Sequence, residues 1–514
     1  MKYFLMLIQL WVGFLPICAS YPKANIWIIP SVESPQVYRN YAQTSKVHLE
    51  MARGEVEHIQ LVFPSKVNEE YRFTFDRYLK GIQISARELK KMNGYYDALV
   101  PFKNQLKCTD TLTAVWITVQ CPSRVPVGKY HQTIKIEGSK HFTIQLDYNV
   151  HHTTIPLKSS IPITVGVENR CVAEGLNDKE ADKERQRWVD FVLSYRMTPV
   201  FGTQITPERW QYEHSFSPWA WNDKRSIRLL NDRRYSCYML PFFTLSENEL
   251  ASLLCNIQKK GKLKESLFYI WDEPAYMEDY EQIKQKVNII RKYASDARIL
   301  TTFFCGPRNG PRKGDLYAVF DYLKHHIHVA TISLAPCKGN EEEVQHIRYK
   351  VPEGIDWWSY VCWQPGGNEP NFLLQMKGIQ QRAIMWRTWK NGSQGFLYWN
   401  CNIYHKRNPF TYITDMPHGD GILIYPGDIL GRKGPIASAR LERWRDGAEE
   451  MELLRLVEKN YSKEKADTLL NIVYSSPLSF IEKAHNIPFF RKELLDQLDK
   501  TIPIDYKLRI TDFI

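Results

Sequence analysis

Residues 266–305 read SLFYIWDEPAYMEDYEQIKQKVNIIRKYASDARILTTFFC. SLFYIWDE (266–273) has the length and apolar content of a buried strand, EDYEQIKQKVNIIRKYA (278–294) has helical spacing, and ILTTFFC (299–305) is a second strand-like run. Strand, helix and strand in that order make a crossover unit with parallel strands. The same grammar extends to both sides. PITVGVE (162–168), MTPVFG (197–202), CYMLPFF (237–243), VATISLAP (329–336), DWWSYVCW (356–363) and GFLYWNCN (395–402) complete a set of eight strands. Between them lie helix-compatible segments such as DKERQRWVDFVLSYR (182–196), ENELASLLCNIQKKG (247–261) and FLLQMKGIQQRAIMWRTWK (372–390). Eight alternations are the count that closes a (β/α)8 TIM barrel. An open doubly wound sheet is the alternative, but no Gly-rich first turn of the dinucleotide-binding kind is present.

Upstream, from ANIWIIPS (24–31) through KYHQTIKIE (129–137) to FTIQLDYNV (142–150), the pattern is short and period-two, with no helical stretch. It predicts an antiparallel β-sandwich accessory domain. Downstream, Ala439, Leu441, Trp444, Ala448, Met451, Leu454 and Val457 recur at helical spacing, as expected of the eighth barrel helix. Gly447 inside that pattern carries a propensity cost of roughly 1 kcal/mol against Ala, so a close backbone approach or a kink is expected there. The organisation expected is therefore a signal peptide (1–20), a β-sandwich (21–155), a barrel of α/β class (156–460) and a short helical tail (461–514).

The 514-residue chain is long enough for two or three domains. Its net charge of +11 is spread along the sequence without a basic arm, which argues against a nucleic-acid partner. The start, MKYFLMLIQLWVGFLPICAS, reads as an export signal too short to span a bilayer, and no later run supplies a membrane span. A periplasmic or extracellular location is expected. Lipid anchoring at Cys18 is disfavoured by the bulky Ile17 before it. Nine cysteines follow Cys18 without a C-x-x-C pair, and Cys108 with Cys121 is the one disulfide the sequence suggests.

Chemistry in a closed barrel belongs at the carboxyl ends of the strands. Asp272 and Glu273 end an apolar run there. Pro274 disfavours the α region for Glu273, so the chain is expected to leave the strand extended. Two carboxylates can divide glycoside hydrolysis between a proton donor and a charge that supports the reacting centre. Neighbours on a regular strand point to opposite sides, so cooperation demands a twist or bulge. Given that, burial and mutual repulsion would leave Glu273 protonated and Asp272 ionised.

Trp271, Trp363, Tyr398 and Trp399 lie on strands or strand exits and can offer faces to a sugar, with Trp363 and Trp399 nearest the ends. Trp357 and Trp358 share the pattern and suit the core equally. Asn400 and Asn402 can reach hydroxyls or serve as turn residues. Arg440, Glu442, Arg445, Asp446 and Glu449 are spaced for a salt-bridge lattice that ties a helix to the barrel. His325, His326 and His328 cluster at a strand entry without an acid, so no metal site and no cofactor is expected. Serine-esterase elbow and Walker motifs are absent.

ENR (168–170), YIWDEP (269–274), RAIMWRTWKNGSQGFLYW (382–399), GDGILIYPG (419–427) and GPIASARLERWRDGAEEMELL (434–454) together make the chain resemble glycoside hydrolase family 123 and the wider barrel group with the same carboxyl-terminal signature. The likeness spans most of residues 25–460, and only D-E-P speaks to catalysis. The resemblance implies a β-sandwich before a (β/α)8 barrel and exo-acting β-N-acetylgalactosaminidase activity by a substrate-assisted retaining mechanism. It makes Glu273 look like the general acid/base and Asp272 like the residue that orients the 2-acetamido group. The sequence departs from the wider pattern at Asn408-Pro409-Phe410, where Asp-Pro-Phe is usual, and at Gly447-Ala448-Glu449-Glu450, where Gly-x-Glu-Asp is usual. The partner expected is a glycan or glycoconjugate; the alternatives are a non-catalytic carbohydrate-binding protein and a glycosidase of other sugar specificity. No oligomeric state is read from the sequence.

Overall fold

The computed structural model describes residues 26–76, 81–206, 211–404, 409–410 and 418–501. Residues 1–20, with Cys18, and Asn408 lie outside the described residues. Ten strands build the first unit: β1 (Trp27–Pro30), β2 (Lys46–Arg53), β3 (Glu55–Pro64), β4 (Glu70–Phe75), β5 (Gln83–Met92), β6 (Tyr95–Pro101), β7 (Gln105–Lys107), β8 (Leu112–Cys121), β9 (Gly128–Glu137) and β10 (His141–Thr154). They form two five-stranded sheets, β1-β3-β8-β5-β6 and β2-β10-β9-β4-β7. Leu61, Phe63 and Ile117 from one meet Ile136, Ile144 and Leu146 from the other in a shared core.

Two expectations are corrected here. The sandwich is not wholly antiparallel, because β2 runs parallel to β10. β2 passes through Gly54, at φ +84°, straight into β3 of the opposite sheet, and that hand-over sets its direction. Cys108 and Cys121 are both free and buried. Cys121 ends β8 opposite Glu55, whereas Cys108 bonds to the backbone of Glu69 near the other end of that ten-residue strand, about 30 Å away at strand rise. No disulfide can span that gap.

β9 alternates between exposed and buried residues, as a strand with one wet face should. β3 and β8 are buried along nearly their whole length. Their second face carries Val62, Ala114 and Trp116 into the core of the next unit.

That unit runs β11 (Ile163–Glu168), α1 (Asn169–Ala173), α2 (Asp178–Ser194), β12 (Thr198–Thr206), β13 (Gln211–Ser215), α3 (Lys224–Leu229), β14 (Tyr238–Met239), α4 (Glu247–Lys259), β15 (Ser266–Trp271) and α5 (Met277–Arg291). It continues with β16 (Arg298–Phe303), α6 (Leu316–Leu323), β17 (Val329–Ser333), α7 (Glu341–Lys350), β18 (Asp356–Val361), α8 (Gly378–Lys390) and β19 (Phe396–Tyr398). A small hairpin, β20 (Ile424–Pro426) and β21 (Pro435–Ala437), precedes α9 (Ala439–Asn460), and the tail holds α10 (Lys463–Leu470) and α11 (Ile487–Asp499).

The sheet order is β13-β12-β11-β19-β18-β17-β16-β15-β14. All neighbours are parallel except β13, which is antiparallel to β12. This nearly closed nine-stranded sheet differs from the regular eight-stranded closure expected. β14 is two residues long, and Pro241 just beyond it lacks the N–H to prolong a ladder. β13 fills the resulting gap, and the Phe216 N–H that follows it donates to the Met239 carbonyl at 2.6 Å. Leu267, Leu300, Val329, Trp358 and Leu397 fill the interior.

α9 fastens the two units through buried ionic contacts. Arg440 donates to Asp97 of β6, Glu442 accepts from Arg87 of β5 at 2.5 Å, and Glu449 accepts the Val56 N–H of β3 at 3.0 Å and Arg196 Nε at 3.1 Å. The charge lattice of this helix therefore reaches the sandwich as well as the barrel. Gly447 marks a close approach: a Cβ there would lie 2.2 Å from the Arg382 carbonyl of α8. Among the described residues no helix is long and apolar enough to cross a membrane.

Candidate active site

β15 ends at Trp271, and the next two residues carry the carboxylates. Its ladder with β16 slips between Tyr269 and Trp271, a bulge in the last turn of the pleat. Glu273 then adopts φ +43°. Bulge and left-handed backbone bring both carboxylates into one cleft. The extended exit expected before Pro274 is thus corrected. Proline closes the right-handed α region to its predecessor, and here the chain turns through the left-handed one. That conformation costs a non-glycine residue about 1–2 kcal/mol. The Glu273 N–H donating to Thr302 Oγ1 at 2.9 Å helps to hold it.

The two acids have different surroundings. Asp272 Oδ1 accepts from the Tyr269 hydroxyl at 2.7 Å and from Thr302 Oγ1 at 2.7 Å. Tyr269 is in turn fixed by stacking on His214 of β13, ring centroids 4.3 Å apart and planes 11° from parallel. Burial pushes the His214 imidazole down to about 3, so it is a neutral platform. Glu273 Oε1 accepts from the Tyr360 hydroxyl of β18. Burial, then the charge of Asp272, push the Glu273 carboxyl up to about 7, against the opposing pull of Tyr360 and Arg308. Both residues retain accessible surface. That surface opens onto the cleft, where the surrounding protein still displaces much of the water around the Glu273 carboxylate.

Two chambers meet at Asp272. The wider, about 1050 Å³, is bordered by Trp271, Asp272, Glu273, Tyr276, Gln282 and Arg308. The smaller, about 80 Å³, sinks towards the barrel interior between Val200, Leu397, Tyr398, Trp399 and Asn400. Asp272, Tyr269 and His214 line both, whereas Glu273 borders the wider one.

A family model for the catalytic domain of glycoside hydrolase 123 matches residues 183–457. The chain belongs to glycoside hydrolase family 123. A family 123 glycoside hydrolase from Clostridium perfringens, described in connection with glycolipid glycan hydrolysis, superposes with a TM-score of 0.65 at 13% identity, covering 92% of this chain and 98% of that one. At that identity the likeness is one of fold. More distant matches include a Bacteroides ovatus family 5 xyloglucanase (11% identity, 79% and 98% covered, TM-score 0.27) and a family 2 β-galacturonidase from Eisenbergiella tayi (8%, 77% and 89%, 0.33). Their shapes diverge too far to bear on the site. No curated protein matches the chain significantly. As a family 123 member this chain is a glycoside hydrolase acting on a glycan, and the binding-only alternative does not stand.

Within this hydrolase the sequence candidates separate. Trp271 borders the wider chamber and lies beneath Lys286, whose Nζ is 5.4 Å from the ring centroid. Trp399 and Asn400 line the smaller chamber, as does Tyr398, whose ring is fully buried. Trp363 is exposed on the loop after β18 and borders neither chamber. Asn402 is spent on structure: its Oδ1 accepts the Glu168 N–H at 2.8 Å and its Nδ2 donates to the Glu168 carbonyl at 3.2 Å. Trp357 and Trp358 are core. The three-histidine cluster joins no group of metal-binding side chains among the described residues.

Sequence reasoning missed Tyr269, Thr302, Tyr360, His214 and Arg308. Period-two alternation places Trp358, Tyr360 and Cys362 on one face of their strand, and that signal could have singled out Tyr360. No local signal marks His214, because β13 is the strand the regular barrel pattern does not contain.

Proposed function

We propose that this family 123 enzyme releases a terminal β-linked N-acetylhexosamine, N-acetylgalactosamine by preference, through a substrate-assisted retaining mechanism. The observation that carries the reading is the division between the two adjacent carboxylates. Glu273, raised to about 7, suits a proton donor near neutrality. Asp272 has one oxygen engaged by Tyr269 and Thr302, which leaves Oδ2 to accept the acetamido N–H. Asp272 so placed turns the acetamido carbonyl oxygen towards C1. That oxygen bonds to C1 as the C1–O glycosidic bond breaks, and Glu273 delivers its proton to the departing oxygen. Glu273 then takes a proton from water, which opens the oxazoline at C1 with retention. No protein nucleophile is required, which accords with adjacent carboxylates serving where a conventional retaining pair spans about 5 Å.

Exo action is supported by the smaller chamber, which has room for a substituent of the terminal sugar, while the wider chamber accommodates the leaving glycan. The eight parallel strands support treating the catalytic unit as a (β/α)8 barrel with β13 inserted. Export by the first 20 residues belongs to the same proposal. A panel of aryl β-glycosides tests the activity: the N-acetylgalactosaminide should be cleaved with retention and inhibited by its thiazoline analogue. Equal cleavage of the unsubstituted galactoside would contradict acetamido participation.

A further inference from the structure

The Gly-Asp-Gly stretch 419–421 takes no part in the chemistry above, yet it lies directly behind the smaller chamber. Asp420 is almost fully buried, with 3% of its surface exposed. Its Oδ1 accepts from the Trp399 indole Nε1 at 3.0 Å and from the Tyr398 hydroxyl at 3.1 Å. The Gly421 N–H donates back to the Tyr398 hydroxyl at 3.0 Å. Oδ2 is buried without a hydrogen-bond partner among the described residues.

Both flanking glycines are required by this arrangement. Gly419 has φ +91°, and a Cβ there would lie 2.6 Å from Arg440 Nη1. Gly421 has φ +68°, and a Cβ there would lie 2.5 Å from Trp399 Cζ2. The chain thus pays for a buried carboxylate and two left-handed residues, and the side chains it holds are the two adjacent aromatics of the chamber wall.

With its N–H turned to Asp420, the Trp399 indole presents carbon to the chamber. Val167, Val200 and Leu397 supply the other apolar parts of the wall of this chamber of about 80 Å³, and Asp272, His214 and Asn400 its polar parts. We propose that Asp420 is a positioning residue that sets the enzyme's selectivity for the length of the substrate's N-acyl group, by locking Trp399 as the end wall of the chamber. This rests on the acetamido reading of the site. A methyl-terminated acyl group fits such a wall, and each added methylene must displace it. One methylene in an apolar pocket is worth roughly tenfold or more in kcat/KM.

The test compares 4-nitrophenyl β-galactosaminides bearing N-acetyl, N-propanoyl and N-butanoyl groups, for wild type, Asp420→Ala and Asp420→Asn. Wild type should prefer acetyl over butanoyl by at least about tenfold. Asp420→Ala should bring that ratio close to one. Asp420→Asn, which keeps an oxygen for the indole N–H, should preserve it even if less stable. Equal loss on all three substrates in Asp420→Ala, with the ratio intact, would reduce Asp420 to a fold residue and overturn the proposal. So would a wild type indifferent to acyl length. Calorimetric binding of N-acetyl- and N-butanoylgalactosamine to Glu273→Gln protein reads the same ratio without turnover. If wild type fails to cleave the acetyl substrate, the acetamido reading fails, whereas cleavage with an unchanged ratio in Asp420→Ala sinks the Asp420 role alone.

Discussion

The Tyr360 hydroxyl of β18 donates to Glu273 Oε1, three strands away around the sheet from β15. That bond stabilises the ionised carboxylate, whereas the neighbouring charge of Asp272 destabilises it. Burial raises the Glu273 carboxyl most, and on top of it these two side chains, each of which can be removed, pull in opposite directions.

Removing them should move the pH profile in opposite directions. Activity that needs protonated Glu273 falls as pH rises through about 7 in the wild type. In Tyr360→Phe the carboxyl loses a partner of its charged form, so this limb moves to higher pH. In Asp272→Asn the repelling charge is gone and the limb moves lower. The sign for stability follows from the same shift: the folded state keeps the proton longer, so this group's contribution is full below about 4.5 and lost as pH rises to about 7. Profiles of kcat/KM against pH for the two variants check the directions.

The two carboxylates should also fail differently with leaving group. On the proposed mechanism Glu273→Gln removes the proton donor, so poor leaving groups should slow by about 10²–10⁴-fold, and activated aryl glycosides much less. Asp272→Asn should slow both kinds, because its effect falls on the attacking acetamido group, and should weaken thiazoline binding. Steady-state rates on one good and one poor leaving group, with a thiazoline titration, distinguish the patterns.

Thr302 touches both acids, since its hydroxyl donates to Asp272 and accepts the Glu273 N–H. Thr302→Val removes both bonds and should lower kcat/KM by about 10–100-fold, matching the roughly 1–3 kcal/mol of a polar group left unpaired. Thr302 is itself buried, so the melting temperature should fall as well, and the effect on the site is read from kcat/KM at a temperature where the variant is fully folded.

Gly447→Ala should destabilise the protein although alanine favours helix by about 1 kcal/mol. The added Cβ would meet the Arg382 carbonyl at 2.2 Å, and forcing α8 from α9 should cost about 1–3 kcal/mol. Denaturant midpoints at unchanged slope would register the loss.

The sequence by itself determined the order of elements and the strand end on which the acids stand. Apolar runs alternating with helical periods encode parallel strands locally, and Asp272 and Glu273 close such a run before Pro274. It also marked the charge lattice of α9, because spacing along a helix is a local property. Tertiary structure alone decided which way Asp272 and Glu273 point, since the bulge and the φ of +43° arise from β15 pairing with β16 and from the Thr302 hydroxyl beyond it. The insertion of β13, which delivers His214, depends on β14 being too short to close the sheet. The role of Asn402 likewise appears only when β11 is adjacent: the same asparagine that could bind a sugar is captured by the Glu168 backbone, 234 residues earlier. Local periodicity specifies elements, whereas the acidity of Glu273 and the wall held by Asp420 depend on groups that meet only when distant strands close on one another.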